Sequence, residues 1–166
     1  MNFKITPIIT IILISCLTVF QSGKKEEDPE EETTTTNTET PEAHTDSFTA
    51  KIDGASYTAT IIQATVIGGK LQMTGSKGTS EGITITIASD ADAGSYTSSM
   101  ADYSASYAIS SGGTGTNYIA ESGSPITITS HDKTNKIVKG TFSFIGKDFQ
   151  STASVNITDG EFAVQY

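Results

Sequence analysis

From residue 47 onward the apolar residues of this chain fall on every second position, the spacing of a strand with one buried face rather than of a helix. In "SFTAKID" Phe48, Ala50 and Ile52 alternate with Thr49, Lys51 and Asp53. Asp53-Gly54 then turns the chain, and Tyr57, Ala59 and Ile61 resume the beat, which is a hairpin signature. Leu71 and Met73 alternate with Gln72 and Thr74, and Ile83, Ile85 and Ile87 alternate with Thr84 and Thr86. Tyr103, Ala105, Tyr107 and Ile109 share one parity against serines. Beyond "SSGGTGTN", read as a flexible loop, come Tyr118-Ile119, then Ile126 and Ile128 against Thr127 and Thr129. "KIVKGTFSFIG" and "ASVNITDGEFAVQY" are the last two strands. The pattern predicts an all-β domain over residues 47–166 of about eight to ten short strands, an antiparallel β-sandwich or small β-barrel. Threonine suits the wet faces because its branched Cβ fits the pleat while its hydroxyl stays hydrated.

The first 46 residues follow another logic. A hydrophobic share of 36% over 166 residues is low for a wholly globular chain, so part of it is expected not to fold. Lys4 supplies a positive start, and the apolar run Ile5 to Phe20 would span roughly 24 Å as a helix, short of a hydrocarbon core of about 30 Å. It reads as a signal peptide, residues 1–15. "KKEEDPEEETTTTNTETPEAHTD" has Ala43 as its only apolar residue and cannot bury enough surface to offset its chain entropy. Residues 16–46 are therefore expected to be a disordered acidic and Thr-rich tether, with Pro29 and Pro41 stiffening it and His44 a solvent-exposed part of it.

Composition removes several functions. The ten basic residues are all lysine, the net charge is −9, and no basic cluster lies on an aromatic background, so nucleic acid is excluded as a partner. A serine nucleophile needs a histidine base held by a third group. The only histidine after residue 47 is His131, in "TSHDKTNK", which reads as a hairpin turn shaped by the side chain of Asp132. Asp90 and Asp92 in "SDADAGSY" have the two-residue spacing of a calcium loop but lack its remaining ligands, so a solvated turn is expected. Asp90, Asp92, Asp102 and Glu121 are not spaced like the facing carboxylates of a glycosidase. "GGTGTN" has neither the lysine nor the following helix of a phosphate loop. The tyrosines are assigned to core or sheet edge. The "ITIT" segments are read as an ordinary solvent face, the alternative being a flat threonine array toward an ordered surface such as ice or a glycan. No catalytic residue, metal or cofactor is expected, and the chain is read as not an enzyme.

The single cysteine has another place. Leu13-Ile14-Ser15-Cys16 resembles the bacterial lipobox, in which a small residue precedes a cysteine that becomes the lipidated first residue of the mature chain. That resemblance implies acyl chains on Cys16, and two or three such chains anchor a protein durably where one does not. Together with the tether, the stretches "FTAKIDGASYTA", "GITITIA" with "AGSYT", "ITITSHDKTNKIVKGTFSF" and "VNITDGEFAVQY" resemble uncharacterised β-rich lipoproteins of the Bacteroidota, a domain of unknown function. The resemblance implies the outer membrane, on its periplasmic or its surface-exposed face, and supplies no catalytic residues. The expectation is a lipid-anchored, non-catalytic binding or structural module of the cell envelope. Its partners would be the membrane through its anchor and an envelope protein, a glycan or a small apolar ligand. A lipocalin-like barrel would instead need an interior cavity of a few hundred Å³, and a hydrolase would need polar groups converging in a cleft.

Overall fold

The computed structural model describes residues 43–99, 103–111 and 114–166. They form eleven strands: β1 Ser47–Ile52, β2 Ala55–Thr58, β3 Ile61–Ile67, β4 Lys70–Lys77, β5 Glu81–Ala88, β6 Gly94–Thr97, β7 Ser104–Ser111, β8 Thr114–Ala120, β9 Pro125–Asp132, β10 Ile137–Asp148 and β11 Ser154–Gln165. Every pairing is antiparallel, and the main path runs β2-β1-β11-β10-β8-β7-β5-β4-β3. β10 is long enough to serve two neighbours on one edge: Ile137 to Phe142 pair with β9, which carries β6, while Gly146 to Asp148 pair with β8. The sheet curls into a half-barrel.

The count exceeds the eight to ten strands expected because the arm after Asp53-Gly54 divides. β2 pairs with β1 and β3 with β4, and only Ala59 and Thr60 separate them. The Ala59 N–H donates to the Phe48 carbonyl on one side and the Thr60 N–H to the Ser76 carbonyl on the other, so one run of chain changes partner midway. "GSYT" also becomes β6, which pairs with β9. The "TGTN" part of the supposed loop is strand: Thr116, Gly115 and Thr114 pair with Ile109, Ser110 and Ser111 of β7. A complete ladder along β7 outweighs the weak strand preference of glycine.

Inward positions follow the alternation. Leu71, Met73, Ile83, Ile85, Ile87, Ile126, Ile128, Val138, Ile157 and Val164 are at most 1% exposed. The centre of this core is four phenylalanines, with ring centroids of Phe142 at 5.4 Å from Phe48, 6.3 Å from Phe144 and 6.4 Å from Phe162. Glycines make room for them. Gly140 is paired with Phe162 and Gly160 with Phe142, so on two adjacent strands each ring lies over the other strand's missing Cβ. Across the fold the Phe48 ring lies on Gly75, where a Cβ would sit 2.5 Å from the ring. The extra residue that shifts the register of β11 against both β1 and β10 is at the bulge Asp159-Gly160, where Asp159 has φ 49° and Lys51 pairs with its carboxylate at 2.9 Å.

Candidate functional site

The same rings settle what the interior can hold. With Phe48, Phe142, Phe144 and Phe162 at most 4% exposed, and all but Phe144 seated on glycines, the half-barrel is filled by its own side chains. The lumen that a lipocalin-like ligand would need is occupied. No buried side-chain nitrogen or oxygen lacks a hydrogen-bond partner among the described residues.

Near the β4–β5 turn the core becomes polar. The Tyr57 hydroxyl donates to the Gly75 carbonyl at 2.7 Å, and the Tyr107 hydroxyl donates to Glu81 Oε1 at 2.7 Å, with the Tyr118 ring stacked 5.9 Å away. Burial first, then the negative charge of Glu81, push the Tyr57 hydroxyl up to about 12; the same two influences, with the direct hydrogen bond to Glu81, raise Tyr107 as well. An unfolded tyrosine loses its proton near pH 10. The folded state therefore holds the proton where the unfolded chain has released it, and stability falls as pH rises from about 10 to about 12. Absorbance titration of the phenolate is expected to show this delayed ionisation, with Glu81→Gln bringing it down; a Tyr57 ionising near pH 10 in the folded protein would contradict the burial described.

The sequence-predicted polar residues are brought closer together than their spacing implied. His131 is the last residue but one of β9, with Nδ1 2.7 Å from the Ala91 carbonyl and Nε2 2.9 Å from the Tyr166 hydroxyl. A carbonyl only accepts, so Nδ1 carries the hydrogen of that bond, while Nε2 pairs with the Tyr166 hydroxyl. Both nitrogens are committed to joining the β5–β6 link to β9 and to the end of the described chain. Asp92 lies beside them and bonds Lys133 Nζ at 2.8 Å, and this lysine with its hydrogen bond holds the Asp92 carboxyl below its ordinary range. Asp132 takes the Thr134 and Asn135 N–H groups on Oδ1, each at 2.9 Å, which is the turn-shaping role expected of it. No group of three or more His, Cys, Asp or Glu side chains placed to hold a metal ion occurs among the described residues. Glu121 is far from this cluster by contact, reaching Lys147 at 3.9 Å, while its carbonyl takes the Ser98 and Ser124 hydroxyls. Asp102 and Cys16 lie outside the described residues. His44 corrects an expectation: its side chain is only 12% exposed and bonds Asp46 Oδ1 at 2.9 Å, while Asp46 also accepts the Gln165 N–H. The chain is thus fastened to the sheet before β1 begins.

What the strands offer a ligand is on the outside. On the outward face of β4, β5, β7 and β8 the cross-strand order places Thr74 beside Thr84, Thr84 beside Ser106, and Ser106 beside Ile119. The Thr74 and Thr84 hydroxyls are 3.0 Å apart. A groove of about 500 Å³ runs over this face, lined by Thr74, Ser76, Thr84, Ser110 and Asn117 among others, with Glu81 at its rim as the one charged side chain in the lining. It opens at the β4–β5 turn, whereas the chain joins the sheet at the other end, beside the β9–β10 turn. The periodicity displays these hydroxyls one by one, but nothing in it reveals that four strands align them into a groove.

A rolled antiparallel sheet with a filled interior and an open hydroxyl-lined groove defines a class of small all-β domains whose exterior, not a lumen, is available to partners. The chain belongs to the family described as a domain of unknown function, DUF6252, whose family model matches residues 44–164. No curated protein and no solved structure matches the chain.

Proposed function

We propose that this chain is a non-catalytic binding module of the cell envelope, a lipoprotein of the Bacteroidota kind held at the outer membrane by acyl chains on Cys16. Its groove takes a neutral glycan. The observation that carries this reading is the groove itself: about 500 Å³, half of whose lining residues are serine or threonine, above an interior filled by its own side chains. Serine, threonine and asparagine side chains donate and accept as sugar hydroxyls do. Glu81 is the one charged side chain of the lining and adds a carboxylate acceptor for a sugar hydroxyl. The resemblance of Leu13 to Cys16 to a lipobox and the acidic, Thr-rich stretch that follows support an anchored, outward-held domain.

Each neutral hydrogen bond nets only about 0.5–1.5 kcal/mol, so a few of them give dissociation constants of about a millimolar. Affinity electrophoresis in gels containing a soluble neutral polysaccharide is expected to retard the protein, and Thr84→Lys, which puts a cation into the groove, is expected to abolish the retardation. Unretarded migration in every neutral polysaccharide would dismiss the glycan. Mass spectrometry of the mature N-terminus is expected to find an acylated Cys16, with Cys16→Ser releasing the chain from the membrane fraction. An unmodified N-terminus would dismiss the anchor.

A further inference from the structure

β3 is an edge that lacks protection. It bonds β4 through seven consecutive residue pairs without a break, whereas bulges interrupt the β1–β11, β10–β11 and β9–β10 ladders. Its other side is hydrogen-bonded to no strand among the described residues. Edge strands are ordinarily blunted by lysine, proline or a bulge, and Ile61-Ile-Gln-Ala-Thr-Val-Ile67 has none of them. Ile61, Val66 and Ile67 are 46%, 47% and 65% exposed. The other edge of the sheet, β2, is only four residues long.

The sequence of β3 names its occupant. Read outward from Ala64 it is nearly its own reverse: Gln63 mirrors Thr65, Ile62 mirrors Val66, and Ile61 mirrors Ile67. A two-fold interface requires such self-complementarity, since each residue must suit its mirror position on the other copy. The run from Ala59 to Gly69 is also uncharged, so two chains of net charge −9 can meet along it without opposing like charges. We infer that β3 pairs antiparallel with β3 of a second copy about an axis through Ala64, joining two half-barrels into one continuous sheet. Ile62 then faces Val66 of the other copy on the inner side, and Ile61 faces Ile67 on the outer side. One strand pair buries an area at the small end of specific interfaces, below about 1,200 Å², so the dimer is weak and forms in the micromolar range.

The register supplies the test. Directly opposed residues have Cβ atoms about 4.5–5.5 Å apart, within reach of a disulfide, whereas diagonal neighbours are about 7–8 Å apart and out of reach. In the full chain carrying Cys16→Ser, held in a mild detergent and exposed to a weak oxidant, Ala64→Cys is expected to cross-link to itself at least tenfold faster than Phe149→Cys, an exposed control. Gln63→Cys and Thr65→Cys are each expected to stay uncross-linked alone and to cross-link when mixed. Equal rates at positions 63, 64, 65 and 149 would overturn the pairing. Should any of these cysteines disturb the fold, as read by circular dichroism, sedimentation of the Cys16→Ser chain decides: a mass that doubles with concentration and reverts in Thr65→Lys supports the dimer, and a monomer up to a millimolar overturns it.

Discussion

Replacing Phe142 by alanine is expected to cost about 3–5 kcal/mol of folding free energy. The ring is 4% exposed, stands 5.4 Å from Phe48 and 6.4 Å from Phe162, and covers the bare backbone of Gly160. Truncation therefore opens a cavity whose floor has no side chain to move into it. Domains of this kind are held by about 5–15 kcal/mol, so the loss is a large share of the whole. Denaturant titration followed by circular dichroism measures it directly. Phe149→Ala is the comparison: that ring is 71% exposed and its removal is expected to change stability by no more than about 0.5 kcal/mol. A Phe142→Ala cost below about 1 kcal/mol would mean the four rings do not form the centre of the fold.

Adding one methyl group at Gly140 is expected to destabilise by about 3 kcal/mol, the upper part of the range for overpacking. A Cβ there would collide with the Thr127 carbonyl on β9 and lie 2.5 Å from the Phe162 ring. A ring edge can swing away, but a carbonyl inside a sheet cannot move without breaking its ladder. Gly115→Ala is the opposite case. Its nearest neighbours would be 3.8 and 3.9 Å away, and loss of glycine's freedom in the unfolded chain makes the change neutral or stabilising by up to about 1 kcal/mol. Thermal unfolding of the two variants side by side checks the contrast, which disappears if Gly140 is merely a loose point in β10.

Residues that obey a local rule were legible before any coordinates. Ile83, Ile85 and Ile87 and the two C-terminal runs declare strands by parity alone, and they are β5, β10 and β11. Asp132 declares a turn by its side-chain chemistry. What stayed hidden depends on partners distant in sequence. Asp-Gly occurs twice: at 53–54 it turns a hairpin, and at 159–160 it bulges in mid-strand because Gly160 must pass under Phe142. No local pattern separates the two uses. The choice between sandwich and barrel likewise rested on Phe48 reaching Gly75 and on a chain that leaves β1 for β4 at Ala59 and Thr60. His44 looked like linker because its neighbours in sequence are polar, yet its surroundings in space are the ends of β9, β10 and β11. The groove was illegible for a related reason: its hydroxyls are spread over four strands whose order only the fold supplies.

The pairing of β1 with β11 has a consequence for how the molecule comes into being. Asp46 receives the N–H of a residue 119 positions later, and Asp53 one 103 positions later, so β1 has only the β2 hairpin on one edge until the trailing strand closes the other. Long-range closures of this sort make folding slow and all-or-none. On a ribosome the half-made chain lacks this closure, and it stays pliable until β11 arrives.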